Sequence, residues 1–493
     1  MNTIPERSNP ERLPRAGGAD DRWRALALVC LVQFMVILDI AIVTLALPSI
    51  KTSLHFSETG LQWLISAYTL TYGGLLLLGG RMGDLLGRRR VLMVGLVVFT
   101  GASLACGLAS STGTLIAARA VEGVGGAIVS PATLAIVSTT FPAPGAERNK
   151  AMGIFFAMGG LGPAVGVLAG GLLTSGPGWE WIFFVNLPVG VAALLLAPRL
   201  LAESHAELGH HSFDAAGALL GTAGLSLLVY ALVSTNTHHW GSSTTVGLLA
   251  GAAVLLAAFL VVEARSRTAL MPLGFFRNLT VSGANAVGLM LGTSIFAMFF
   301  FLSLYMQQVL RYSATTAGLA FLVVAVLMVV FAGVGQAVVT RAGVKPALVV
   351  GMALIAVSQL WFARLPVAGS YPADILPGFV VVAVGLGLAF VSVGIAALMG
   401  VREHHAGLAS GLINASQQIG GAIGIAVTST VAAAHTARLL QAGRRGESAL
   451  TAGFHLAFIV SAGFAATGAL IALAVVRRAS ALAVQPSPAT ETA

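Results

Sequence analysis

The chain has 493 residues, 57% of them apolar and only 9% charged, with a formal net charge of +9. An ordinary soluble domain carries roughly 25% charged residues, and disorder needs low hydrophobicity with high charge, so both classes are excluded. At about 20 residues per membrane span, the apolar content suffices for up to about fourteen spans and little else.

The sequence therefore reads as an all-α polytopic membrane protein, because helices are the only open-ended elements that satisfy their own backbone in lipid. The positive balance reads as basic residues held in cytoplasmic loops rather than as a nucleic-acid surface. Residues 1–24 form a polar tail, expected to be disordered and cytoplasmic. The first apolar run is a full span with no short apolar region ending at a small-residue cleavage site, so a signal peptide is not expected.

Spans are predicted near 25–47, 60–79, 91–110, 113–139, 151–174, 182–198, 214–234 and 245–263. Six more follow near 281–305, 315–338, 346–363, 375–398, 407–432 and 453–476. With the N-terminus inside, the cytoplasmic segments carry 20 Lys and Arg and the outside segments six, namely Lys51, Arg311, Arg364, Arg438, Arg444 and Arg445. That asymmetry predicts both termini in the cytoplasm of a plasma-membrane protein. Arg119 is the one basic residue left within a span.

An internal repeat is visible. The loop after the second span, around Gly79, Gly87 and Arg89, recurs after the tenth as Gly335, Gly343 and Lys345, an offset of 256. Gly162-Pro163-Ala164-Val165-Gly166 in the fifth span resembles Gly420-Gly421-Ala422-Ile423-Gly424 in the thirteenth, an offset of 258. Both offsets join spans eight apart, so the copies share one orientation. The predicted organisation is a six-helix bundle over 25–200, two inserted helices with linkers over 201–270, a second six-helix bundle over 271–478 and a tail over 479–493. Parallel six-span repeats around a midplane site are a transporter architecture.

Ionisable residues within spans mark the chemistry, since each costs several kcal/mol unless partnered. Asp39 lies midway along the first span, where burial raises the proton affinity of a carboxylate and lets it alternate between neutral and charged forms; a fixed pair or a helix cap is the alternative. Arg119 and Glu122 stand three residues apart on one helix face, with Glu122 either a second proton site or the counter-ion that holds Arg119. Asp84 and Arg88 sit in a tight loop with Gly80, Arg81, Gly83 and Gly87, where a carboxylate at a helix start beside a basic cluster makes a charge latch; topology anchoring alone is the alternative. The second copy has Thr340 where Asp84 would fall, so the latch is expected on one side only. Gly162 and Gly166 allow close helix approach and Pro163 removes a backbone hydrogen bond, which suits a rocking surface between the halves.

These stretches resemble the 14-span drug:proton antiporters of the major facilitator superfamily, over about residues 25–476. Leu38 through Pro48 is similar to that branch's first-span signature, Gly80 through Arg90 to the superfamily loop motif, and Trp179 through Gly190 to the branch's sixth-span motif. Gly162-Pro163 with Gly166 is similar to the antiporter motif, although Met158 and Val167 stand where the family more often has Gly. The resemblance implies 14 transmembrane helices in a major facilitator fold, proton coupling through Asp39 and Arg119, and gating by the Gly80–Arg88 loop. The family's usual residue at position 122 is Gln, so Glu122 departs from the pattern.

The expected function is proton-coupled export of lipophilic drugs, antibiotics or toxic metabolites by alternating access. The alternatives are a proton-coupled importer of a small metabolite, a membrane sensor or an intramembrane enzyme. No Gly-Lys dipeptide occurs, so no phosphate-binding loop is present; neither cofactor nor metal is expected, and the proton gradient is the driver. The partners are the lipid bilayer, protons and a small lipophilic substrate, with a monomer sufficing. An apolar, aromatic cavity could be lined by Gln33, Phe34, Tyr68, Phe155, Asn285, Phe296, Asn414 and Gln417. Cys30 and Cys106 read as packing residues. The pairs His210-His211, His238-His239 and His404-His405 fall in loops and suggest no metal site.

Overall fold

In the computed structural model the described residues are 19–56, 58–142, 145–204, 215–234, 241–266, 273–399, 401 and 406–476. Both tails and all three histidine pairs lie outside them. The described residues form helices and no strand. In chain order these are α1 Ala19–Leu54, α2 Glu58–Leu86, α3 Arg88–Gly107, α4 Thr112–Thr140, α5 Ala146–Ser175, α6 Trp181–Phe184, α7 Asn186–Leu200, α8 Ala215–Ser234 and α9 Ser243–Arg265. Then come α10 Leu279–Leu304, α11 Ala314–Ala342, α12 Val344–Phe362, α13 Leu376–Leu398, α14 Ala406–Gln441 and α15 Gly446–Val475. A π-helical turn, Tyr305–Val309, extends α10, and another, Tyr371–Ile375, leads into α13.

Helix starts follow local chemistry. Ser111, Ser242, Ser313 and Asn278 accept hydrogen bonds from backbone N–H groups of Thr114, Thr245, Thr316 and Thr280, capping α4, α9, α11 and α10. Among the described residues, twelve helical stretches are long and apolar enough to cross a membrane. Neither α5, which opens on Glu147, Arg148, Asn149 and Lys150, nor α8, whose apolar stretch is the shorter Ala216–Leu232, is one of the twelve.

The two offsets correspond to equivalent packing. Gly87 and Gly343 each form a one-residue link between consecutive helices, with φ of 102° and 86°, conformations that a side chain resists. Gly79 backs onto the α4 backbone at Ala127, and Gly335 onto the α13 backbone at Gly387. Gly166 faces the Leu38 carbonyl of α1, and Gly424 the Thr293 carbonyl of α10. Within each half the pairings α1–α5, α2–α4 and α3–α4 match α10–α14, α11–α13 and α12–α13. The halves meet along two seams, α5 with α11 and α2 with α14. The hairpin of α8 and α9 lies against only the second of these, where Leu225 and Phe259 join Leu77 of α2 and Leu408 of α14 in one apolar cluster.

Candidate functional site

Five helices converge on a buried ring of polar side chains. α1 supplies Asp39, whose side chain has no solvent exposure, and α4 supplies Arg119 and Glu122 one turn apart. The same guanidinium nitrogen, Arg119 Nη1, donates to Asp39 Oδ2 at 2.7 Å and to Glu122 Oε2 at 2.7 Å. From α7, Asn186 Nδ2 donates to Asp39 Oδ1 at 2.9 Å and to Ser103 Oγ of α3 at 3.1 Å. The Ser103 hydroxyl donates in turn to Glu122 Oε1, closing the ring. Cys106 Sγ lies 3.6 Å from Glu122 Oε2. α2 contributes Tyr68, whose ring lies 4.2 Å from Arg119 Cζ, and Phe183 of α6 stands 5.8 Å away, so the cation also rests on aromatic faces.

Two carboxylates share one guanidinium out of contact with water. When all three groups are ionised the ring carries one excess negative charge, a costly state at this depth. Uptake of one proton by either acid neutralises it. As placed, both carboxylate oxygens of Asp39 accept hydrogen bonds, from Arg119 and from Asn186, which is the geometry an ionised Asp39 requires.

Along α4 the same face continues as Ser130 and Thr133. Ser130 accepts from Gln33 Nε2 at 3.1 Å and from Tyr72 at 3.1 Å, and Thr133 donates to Gln33 Oε1 at 2.8 Å. Tyr72 stacks on Tyr68 with ring centroids 5.6 Å apart. Gln33 is thus committed to hydrogen bonds next to the charge ring, whereas Tyr68 is held there by its ring, its buried hydroxyl having no hydrogen-bond partner.

A second charged cluster holds the halves together. Asp84 Oδ1 accepts from Arg88 Nη2 at 2.9 Å and from the Gly407 N–H at 3.1 Å, while Oδ2 accepts from the Leu408 N–H at 3.1 Å. The carboxylate of one half thus sits at the start of α14 in the other, where the helix dipole favours negative charge by up to about 2 kcal/mol. Gly80 backs onto the Gly407 carbonyl, too close for any side chain. Gly83 adjoins the Arg88 stem, and buried Arg81 is within electrostatic reach of Asp84 and of Glu263 on α9. Glu203, beyond α7, pairs with Arg89 at 3.5 Å and accepts from its backbone N–H, which ties the start of α3 to the end of α7.

Thr340 leaves the second seam without a charged latch, yet that seam is bridged as well. Thr340 of α11 accepts from Asn149 Nδ2 of α5 at 3.1 Å and from Gln336 at 3.0 Å. Thr340 lies 256 residues after Asp84, and Gly407 lies 258 after Asn149. The second seam carries the same bridge in neutral form.

Asp84→Asn keeps the shape but removes the charge seen by Arg88 and α14. Transport turnover is expected to fall about 10-fold, equivalent to about 1.4 kcal/mol on the barrier, while the substrate KM changes much less. Initial rates in vesicles across a substrate series measure both.

The expected role of Gly162 and Gly166 needs correction. They face α1 of their own half, at Ile37 and Leu38 beside Asp39, because the close approach there leaves no room for a side chain. The α11 seam is instead met by Gly153, near Gln336, and Gly171, near Thr315. Pro163 lies within α5 and its side chain is outside the described residues.

Of the other candidate substrate contacts, Asn285 and Phe296 of α10 and Asn414 and Gln417 of α14 belong to one packed helix pair, while Phe34 and Phe155 lie in the first half. Phe34 packs into the apolar cluster around Leu38, and Phe155 stacks edge-on with Phe156. Asn285 donates to the Val281 carbonyl and accepts from Ser416. Asn414 donates to the Ser410 carbonyl. The Gln417 backbone abuts Gly292, and Phe296, 36% exposed, lies over Gly421. A cavity of about 240 Å³ lies elsewhere, in the α5–α11 seam between Lys150, Met158, Val329 and Gln336. Among the described residues, no group of three or more His, Cys, Asp or Glu is placed to hold a metal ion.

Sequence reasoning missed Ser103 and Asn186 and gave Cys106 a packing role only. Asn186 was legible within the sixth-span motif, and Ser103 and Cys106 share a face of α3 three residues apart; what was lacking was the knowledge that α3 and α7 close over α1 and α4.

Residues 29–425 match the Major Facilitator Superfamily. The chain is 40% identical to the cephamycin export protein CmcT of Amycolatopsis lactamdurans, over 84% of this chain and 85% of that protein. It is 39% identical to the puromycin resistance protein pur8 of Streptomyces alboniger, over 85% and 83%. Its fold matches the human organic anion transporter MFSD10 (TETRAN) with a TM-score of 0.67 at 15% identity, covering 92% of this chain and 99% of that one. It also matches the proton:xylose symporter XylE with a TM-score of 0.64 at 15% identity, covering 94% and 97%. With its paired bundles, its buried charge ring and this extent of similarity, the chain belongs to the Major Facilitator Superfamily and is a membrane transporter, not an enzyme.

Proposed function

We propose that the protein is a proton-coupled antiporter of the plasma membrane that exports lipophilic antibiotics or other drugs by alternating access. The observation that carries this reading is the ring of Asp39, Arg119 and Glu122, in which two buried carboxylates share one cation. A proton entering from outside loads Asp39, neutralises the ring and promotes substrate release; loss of that proton to the cytoplasm restores the anion and the substrate-accepting state. The export and resistance proteins that the chain resembles support the direction of transport and the substrate class. In this reading both termini are cytoplasmic, α5 and α8 cross the bilayer with the other helices, and one chain works without a cofactor. Residues 25–200 and 271–478 move against each other, with 201–270 inserted between them. Asp84 with α14, and Thr340 with Asn149, then close the cytoplasmic side.

The test is a drug-susceptibility and dye-efflux panel in an efflux-deficient bacterial host. Expression is expected to raise resistance to several lipophilic antibiotics, and a protonophore is expected to abolish the gain. Accumulation rather than efflux, or efflux indifferent to the protonophore, overturns the reading.

A further inference from the structure

Three buried polar atoms at the charge ring, Arg119 Nε, the Tyr68 hydroxyl and Asn186 Oδ1, have no hydrogen-bond partner, and of these Asn186 Oδ1 is the one that can only accept. Asn186 is 1% exposed and donates both N–H groups, one to Asp39 and one to Ser103, while its own Oδ1 is buried with no hydrogen-bond partner. An unsatisfied buried polar atom costs about 1–3 kcal/mol. A side-chain amide has two settings related by a half-turn about its last torsion, which exchange donor and acceptor. The setting observed is the one an ionised Asp39 imposes, because a carboxylate accepts hydrogen bonds and donates none.

Protonation of Asp39 inverts that demand. The acid gains an O–H that needs an acceptor, and an N–H aimed at a neutral carboxyl is worth less than one aimed at an anion. Building on the proton-coupled reading above, we propose that Asn186 is a positioning residue whose amide turns over when Asp39 is protonated, so that Oδ1 accepts from the acid where Nδ2 donated to the anion. The only covalent change is the O–H bond of Asp39, formed with a proton from one side of the membrane and broken when that proton leaves to the other.

Turning the amide has a second effect. Ser103 Oγ accepts from Asn186, so its own proton is directed at Glu122. With Oδ1 presented instead, the hydroxyl can donate to Asn186 and release Glu122 Oε1. The amide thereby transmits the state of Asp39 around the ring to Glu122. The titratable and charged groups around Asn186 are Asp39 on α1, Tyr68 on α2, Cys106 on α3, and Arg119 with Glu122 on α4; α6 presents the aromatic ring of Phe183. Of these, Asn186 hydrogen-bonds Asp39 directly and reaches Glu122 through Ser103.

Infrared difference spectra of the full-length protein in lipid vesicles, recorded across a pH step, test this. Wild type is expected to show a carboxylic C=O band that disappears in Asp39→Asn, accompanied by a side-chain amide band. In Asn186→Leu the amide band should vanish and the carboxylic band should move to higher frequency, because the acid has lost its acceptor. Asn186→Thr, whose hydroxyl can donate or accept, is expected to keep the carboxylic band near its wild-type frequency and to retain proton-driven efflux. An unmoved carboxylic band in Asn186→Leu overturns the switch while leaving proton coupling intact. If Asn186→Leu does not fold, loss of efflux in Asn186→Thr with a wild-type protonation band overturns it equally. Absence of any Asp39-dependent band in wild type takes away both the switch and the proton-coupled reading.

Discussion

Replacing Asp39 with asparagine is expected to reduce gradient-driven efflux of a dye or antibiotic to the level of cells lacking the protein, with membrane insertion unchanged. Asparagine preserves the shape of the side chain, and Arg119 still has Glu122 at 2.7 Å, so the ring keeps a complete ion pair. What disappears is the carboxylate proposed to carry the proton. Glu122→Gln separates the two acids, because it leaves the Asp39–Arg119 pair and removes the excess negative charge. If Glu122 serves only to hold Arg119, this variant keeps efflux within a few-fold of wild type. Initial efflux rates measured at several external pH values decide the matter. Wild-type efflux in Asp39→Asn would remove this carboxylate from the mechanism.

Arg119→Ala should have the broader effect. It strips the cation from two buried carboxylates at once, and breaking a buried pair by deleting one partner costs about 3–5 kcal/mol. Two buried carboxylates are then left uncompensated, so stability and coupling are expected to fail together. The expected result is a lower thermal unfolding temperature in detergent and proton-driven efflux reduced by at least about 10-fold. Arg119→Lys should recover more stability than transport, because an ammonium is a compact point charge without the planar fork of a guanidinium. Full efflux in Arg119→Ala would assign the residue to the framework alone.

The sequence disclosed those parts of the molecule that depend on composition and on spacing along one helix. Asp39 was conspicuous because charge is costly in an apolar run, and Arg119 with Glu122 because three residues make one turn. The repeat was visible because glycine is required where backbones touch, as at Gly79 and Gly335 or Gly166 and Gly424. Contacts between helices were not legible. Ser103 and Asn186 are common residues whose role appears only when α3 and α7 close over Asp39. Thr340 looked like a lost charge because its partner, Asn149, sits 191 residues away. The glycines of α5 were directed to the wrong neighbour, since a small-residue face says that something is close without saying what.

The placement of the α8–α9 hairpin bears on how the halves can move. An exact internal repeat would allow both seams to open and shut alike, as the two sides of a clamshell. Here α8 touches both leaves at one boundary, with α9 packed on it, while among the described residues no such helix lies against the other. In the alternating-access cycle proposed above, the braced edge is expected to slide with the hairpin or pivot against it while the other edge carries no such load, a lopsided excursion: a door that swings on one jamb rather than a pair of shutters.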